Sequence, residues 1–191
     1  VGGGAGGVEL ALTMQHQLCA CEYNDGRVPK FTIVCDSTEI LPTHNAGVRH
    51  RMLRVCKARG VHVRAGVRVV ETKVDHVVCS DGTTDPYDAL FWVTDASAPR
   101  WLAESGLDAD SKGFVSVDDT LRSTSHPFVF ATGDAATMVS DPRPKSGVFA
   151  VRQGPILAEN IRRSISGDSL VRYSPQRKHL ALISTGDKNA I

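Results

Sequence analysis

The sequence predicts an α/β fold of the mononucleotide-binding kind, and three observations predict it. A glycine-rich turn, VGGGAGG, opens the chain and runs straight into a stretch of helical period. Two short, nearly unbroken apolar runs, Phe31 to Cys35 and ALFWVTD at residues 89–95, have the character of strands buried on both faces. A second helical stretch and a cluster of short β-rich segments lie between those two runs, which is the order of a βαβ domain with a meander as its last crossover.

Each element follows from its own residues. After the glycines, Val8, Ala11, Leu12, Leu18 and Cys19 fall near one helical face, and that helix is expected to end around Cys21, before the polar run Asn24-Asp25-Gly26-Arg27. The strand Phe31 to Cys35 comes next. Thr43 or Asn45 caps the second helix, Gly60 closes it, and Val48, Met52, Val55 and Cys56 form its buried stripe. Its other face carries Arg49, His50, Arg51, Arg54, Lys57 and Arg59, read either as an anion patch or as a solvated surface. Val61–Arg64 is a strand. Val67–Val70, Val74–Cys79 and a short strand from Thr83 make the meander, with Asp81-Gly82 as a hairpin turn. Residues 89–95 then supply a central parallel strand. Beyond Pro99 the sequence predicts a short helix at Trp101-Leu102, strands at Phe114–Val117 and Phe128–Thr132, and a loop at Asp141–Pro144. A long helix follows from Val148, with Val151, Pro155, Ala158, Ile161 and Ile165 on one side. The final stretch, LALISTGDKNAI, begins a strand-like segment.

Composition narrows the function classes. The 191 residues are 41% hydrophobic and 23% charged with a net charge of +1, so bulk charge points to neither nucleic acid nor an anionic membrane. No apolar run spans a bilayer and no secretory leader is apparent, so a cytoplasmic location is expected. The five cysteines are odd in number and lack C-x-x-C spacing, which predicts ordinary thiols and neither a redox disulfide nor a metal site.

The chemistry lies in the glycines. Gly2, Gly4 and Gly7 spell G-x-G-x-x-G: one glycine for a tight turn, one for close approach of a diphosphate, one for packing of helix on strand. The helix start would offer free N–H groups and a positive dipole end to that diphosphate. Asp36 ends the next strand and is the candidate for the adenosine ribose, with Glu39 as the alternative; a strand-end turn residue is the plainer reading. It stands 29 positions after Gly7, against about 20 in the usual fingerprint. An acid there repels a 2′-phosphate, so NAD(H) is favoured over NADP(H). An S-adenosylmethionine-binding domain shares the turn and remains an alternative, as does a non-catalytic nucleotide sensor.

VGGGAGGVELAL resembles the NAD-binding motif of FAD-dependent pyridine nucleotide-disulfide oxidoreductases and type II NADH dehydrogenases, VFATGDAA resembles their second flavin motif, and GVFAVRQGPILAENI resembles the helix that follows it. ILPTHNAGVR, VDDTLRSTSHP and RPKSGVFAVRQGP further resemble the NADH dehydrogenase-like proteins associated with selenide,water dikinase. The resemblance implies a Rossmann-like NAD(P)H-binding domain at 1–97, the C-terminal part of an FAD-binding domain at 98–168, and the start of a further domain or tail at 169–191. It implies that Glu9 lies by the nicotinamide, that Thr94 ends the last strand beside the nucleotide, and that Gly133 and Asp134 meet the flavin ribityl chain. The backbone amides of Val148, Phe149 and Ala150 would meet the flavin pyrimidine edge, and Gln153 would close that side. Asp95 departs from the glycine often found at its place, which would weaken nucleotide binding. The implied activity is reduction of FAD by NAD(P)H, with electrons passing to an unidentified small-molecule acceptor, a quinone or a selenium or sulfur species. Since a single residue precedes the turn, the reading expects an internal piece of a longer enzyme, inactive alone and unable to hold FAD tightly. The exposed strand edges of a partial sheet predict a homodimer.

Overall fold

The computed structural model describes residues 1–21, 28–176 and 180–191. The polar run expected as a turn from Asn24 to Arg27 lies outside the described residues. Two compact units form, one from Val1–Asp95 with Ala181–Ile191 and the other from Ala96–Leu180.

In the first unit, α1 (Ala5–Cys19) starts directly behind the glycine turn. Val8 and Leu12 are fully buried with Ala11 against them, whereas Cys19, expected on this face, is exposed at the helix end. β1 (Phe31–Val34) and β2 (Val61–Arg64) pair in parallel, Phe31 opposite Val61 and Ile33 opposite Val63. The crossover between them is α2 (Ala46–Ala58). Of its two candidate caps Asn45 serves: its side-chain oxygen accepts from the Val48 amide at 3.0 Å, satisfying one of the orphan donors of the first turn. Met52 and Cys56 are buried, Val48 and Val55 partly so. The loop after β1 folds back over the turn, since Ile40 and Leu41 are fully buried and the Leu41 amide donates to the Gly3 carbonyl at 2.7 Å.

β3 (Val69–Thr72), β4 (His76–Cys79) and β5 (Thr84–Pro86) form the expected antiparallel meander. Its Asp81-Gly82 turn has a local cause: the Asp81 carboxylate accepts from both the Thr83 amide and hydroxyl, and Gly82 takes a φ of +79°. Residues 89–95 do not form the regular central strand expected of them. The Val93 amide donates to the Val1 carbonyl and the Val1 amino group to the Phe91 carbonyl, a one-residue ladder. Phe91 and Trp92 are exposed.

The second unit holds α3 (Arg100–Glu104), β6 (Val115–Val117), a 3₁₀ turn (Gly133–Ala135), β7 (Ala136–Met138) and α4 (Gly147–Ser166). β6 and β7 are parallel. The strand expected at Phe128–Thr132 is replaced by an irregular hairpin with isolated bonds from Ser123 to Val129 and from Ala131 to Leu121. Leu121 has a φ of +65°, which breaks the pleat of the partner segment, and regular pairing resumes downstream in β7. The apolar side expected on α4 faces outward. Val151, Ile161 and Ile165 are exposed, and so are Pro155 and Ala158. The buried side carries Phe149, Ile156, Leu157 and the fully buried Asn160, whose amide donates to the Thr120 and Val171 carbonyls and accepts from the Val171 amide. Three satisfied backbone partners outweigh the cost of burying a polar side chain.

Candidate functional site

The glycine turn is set by contacts that admit no side chain. Gly2 has a φ of +122°, and a Cβ there would lie 1.9 Å from the Val93 carbonyl oxygen. A Cβ on Gly7 would lie 2.1 Å from the carbonyl oxygen of Gly2, so the first turn of α1 rests directly on the backbone that feeds it. Gly3, which the fingerprint leaves unspecified, is held as tightly: its Cβ would fall 2.7 Å from that of Cys35. Gly4 faces open space, with no atom within 4 Å of a Cβ placed there.

This geometry leaves donors free. Gly4 is the N-cap of α1 and offers no side chain to the helix, and no acid stands in the first turn. The ladder starts with the Val8 amide bonded to the Gly4 carbonyl at 3.1 Å. The amides of Ala5, Gly6 and Gly7 have no acceptor among the described residues. Such a cluster at the positive end of a helix takes an anion. The residues fit a diphosphate: free amides, a side-chain-free face at Gly4, and nothing anionic within the turn.

Around the turn stand the other sequence candidates of this unit. The Gly2 amide donates to the Val34 carbonyl at the end of β1, and Asp36 follows two residues on, exposed, with Arg68 Nη2 3.6 Å from its carboxylate. Glu39, the alternative to Asp36, is engaged by Arg49 Nε at 2.8 Å. Thr94 is exposed beside the turn, its amide 3.2 Å from a Cβ built on Gly2, and Asp95 is exposed next to it. Glu9, in the second turn of α1, is half-buried and accepts from the Ser184 amide at 2.7 Å. Sequence reasoning had no signal for that bond, because its donor is a backbone group far along the chain.

A large cleft in the same unit is a different feature. It is lined by the α1 residues Leu10, Ala11 and Met14, by β1 and by residues 85–91. It reaches Gly2 and Gly7 but not Gly4, Asp36 or Thr94. Its walls mix apolar side chains with the carboxylates of Asp75, Asp85 and Asp88, which do not suit a diphosphate.

The second unit gathers the remaining candidates in one corner. Gly133 has a φ of +62°, and a Cβ on it would press on that of Ala150 at 3.2 Å. The Gly133 amide donates to the Gln153 side chain at 2.7 Å, so Gln153 braces the turn. Asp134 is exposed. Of the three amides expected to face a ligand, those of Phe149 and Ala150 donate to the Ser146 carbonyl and are used within the helix; the Val148 amide has no acceptor among the described residues. One lining residue was not singled out by sequence reasoning although it stands inside a quoted motif. Lys145 donates to the Ala136 carbonyl and the Thr137 hydroxyl, and lies 4.0 Å over the Phe114 ring. Burial lowers its pKa, against the pull of Asp110 and Asp134. Asp110 in turn accepts from Thr137 at 2.7 Å. Gly133, Asp134, Lys145, Phe149 and Gln153 line one small concavity. The exposed acid and the free helix-start amide fit the hydroxyls and a polar ring edge of a flavin.

Among the described residues no group of His, Cys, Asp and Glu is placed to hold a metal, and no helix is long and apolar enough to cross a membrane.

Residues 1–154 match the pyridine nucleotide-disulphide oxidoreductase family. The chain is 28% identical over 145 residues to a type II NADH:quinone oxidoreductase of Haemophilus influenzae, covering 73% of this chain and 33% of the relative. It is 26% identical over 165 residues to an internal alternative NAD(P)H-ubiquinone oxidoreductase A1, mitochondrial, of Arabidopsis thaliana, covering 83% and 32%. The chain thus spans about a third of the length of these two relatives. Among solved structures, an FAD-dependent pyridine nucleotide-disulphide oxidoreductase from Desulfovibrio vulgaris superposes with a TM-score of 0.68 at 25% identity, covering 90% of this chain and 43% of that one.

Proposed function

The chain belongs to the pyridine nucleotide-disulphide oxidoreductase family, and on that premise we propose that it is the NAD(P)H-binding domain and part of the FAD-binding domain of a flavin-dependent NAD(P)H oxidoreductase. The observation that carries this reading is the set of unpartnered amides at Ala5, Gly6 and Gly7 behind a turn that backbone contacts keep free of side chains. In this reading residues 1–97 hold the dinucleotide, 98–168 contribute to the flavin site, and 169–191 begin a further segment whose residues 181–191 pack in the first unit.

The roles divide by position. The α1 start binds the diphosphate, Asp36 takes the adenosine ribose hydroxyls, and Thr94 and Glu9 flank the nicotinamide half. Asp36 disfavours a 2′-phosphate, which makes NADH the preferred donor; its neighbour Arg68 moderates that preference by offsetting the charge. Asp134 accepts from the ribityl hydroxyls of FAD, Gln153 keeps the Gly133 turn in shape, and the Val148 amide with the positive end of α4 stabilises negative charge at the pyrimidine edge. The two cofactors supply the hydride transfer itself; the chain binds them, orients them and places charge.

The electron acceptor is read as a quinone or a selenium or sulfur species, and the enzyme as cytoplasmic or peripheral to a membrane. Self-association as a homodimer is supported by the exposed apolar side of α4, Val151, Ile161 and Ile165, and is checked by light scattering. The activity is tested in the complete protein by stopped-flow spectroscopy. Bleaching of the flavin by NADH is expected; an oxidised spectrum at saturating NADH and NADPH overturns the reading.

A further inference from the structure

We propose that the C-terminal segment 183–191 is a strap that positions Glu9 for the nicotinamide end of the dinucleotide, with the backbone amide of Ser184 as the positioning group. This rests on the NAD(P)H reading of the first unit. The strap is built into that unit. Ile183 is 1% exposed and packs with Val8 and Leu12 on the same helix that carries Glu9. Gly186 is pressed against α1, where a Cβ would lie 2.5 Å from the Thr13 Cα. Arg59, at the end of α2, donates to the Thr185 carbonyl and pairs with Asp187. The amides of Ile183 and Ile191 each donate to the other's carbonyl, which closes the segment on itself.

A segment fixed at that many points presents the Ser184 amide at a defined place, and Glu9 Oε1 accepts from it at 2.7 Å. A half-buried carboxylate on a helix flank otherwise has several rotamers of similar energy. The charge-assisted bond selects one, and it occupies one oxygen. Oε2 has no donor among the described residues and is the acceptor that a ribose hydroxyl or carboxamide of the nicotinamide half would meet. Ser184 acts through Glu9 and touches no ligand itself.

The test compares two nucleotides that share the diphosphate and the adenosine but differ in the nicotinamide. Dissociation constants for NADH and ADP-ribose are measured by calorimetry on the full chain, its Ser184→Pro variant, which lacks the amide, and its Ser184→Ala variant, which keeps it. Ser184→Pro is expected to weaken NADH about tenfold, the size of one charge-assisted hydrogen bond, while ADP-ribose stays within about twofold. Ser184→Ala should change neither. Glu9→Ala leaves the strap backbone intact; it should reproduce the selective loss, and adding Ser184→Pro to it should cost nothing more. Equal losses for both nucleotides, or an unchanged preference in Glu9→Ala, overturn the proposal. Failure of the unaltered chain to bind ADP-ribose overturns the reading of the glycine turn, and the proposal with it.

Discussion

Gly7 and Gly4 occupy opposite environments, and substitution at each has a different expected outcome. Gly7→Ala drives a methyl group into the Gly2 carbonyl, 2.1 Å away, and neither backbone can yield without moving α1. It is expected to destabilise the first unit by about 2 kcal/mol or more, seen as a lower thermal midpoint, and to abolish nucleotide binding. Gly4→Ala meets open space at a φ of −72°. It should melt like the unaltered chain yet bind NADH about tenfold more weakly, because the added methyl stands where the diphosphate approaches. A Gly4→Ala protein with full affinity would place the ligand elsewhere. Asp36→Ala is expected to raise NADPH affinity relative to NADH, with Arg68 released to meet the 2′-phosphate. Steady competition of the two nucleotides for the same site measures it. These residues were legible because a glycine pattern states a backbone requirement directly. Gly3 was not, since its demand comes from Cys35, a strand away; nor was the Ser184 bond, which no side-chain pattern encodes.

Helices and strands were legible to the extent that their causes are local. α2 carries its own start signal, and Asn45→Ala should cost about 1 kcal/mol in chemical denaturation, the worth of one cap. The meander turn is likewise written in Asp81 and Gly82. α4 was legible as a helix with an apolar side, but its orientation was not, because apolar periodicity marks a stripe and does not say which side is covered. The burial is decided by Asn160, whose three partners lie on segments 120 and 171, remote in sequence. Asn160→Leu leaves two carbonyls and an amide without partners and is expected to destabilise the second unit by about 3 kcal/mol or more, read from its own unfolding transition. A neutral result would show those groups reach water. The strand expected at 128–132 failed for a similar reason: its residues favour β structure, but the partner segment turns through Leu121 in the left-handed region.

At the scale of the chain, the last residues fold back onto the first unit, a closure that the end of a sequence does not announce. Its acid sensitivity follows from Asp187. Hydrogen bonding from the Thr185 hydroxyl, helped by Asn189 and Arg59, holds that carboxyl at about 2, below its ordinary 3.8. A depressed carboxyl contributes stability that is complete above its unfolded value and is lost on protonation. The strap is therefore expected to loosen as pH falls from about 4 to 2. Hydrogen exchange at the Ile183 and Thr185 amides measures this, and Asp187→Asn should show the same loosening at neutral pH. Exchange unchanged in both cases would mean that packing of Ile183 alone holds the segment.

The central claim is that the start of α1 receives the diphosphate of a nicotinamide dinucleotide, and amide chemical shifts report on it most directly. On titration of ADP-ribose into the isotope-labelled chain, the resonances of Gly4, Ala5, Gly6 and Gly7 should move saturably and further than any others. Saturable shifts confined to the cleft beside β1, or no shift at millimolar ligand, would contradict it.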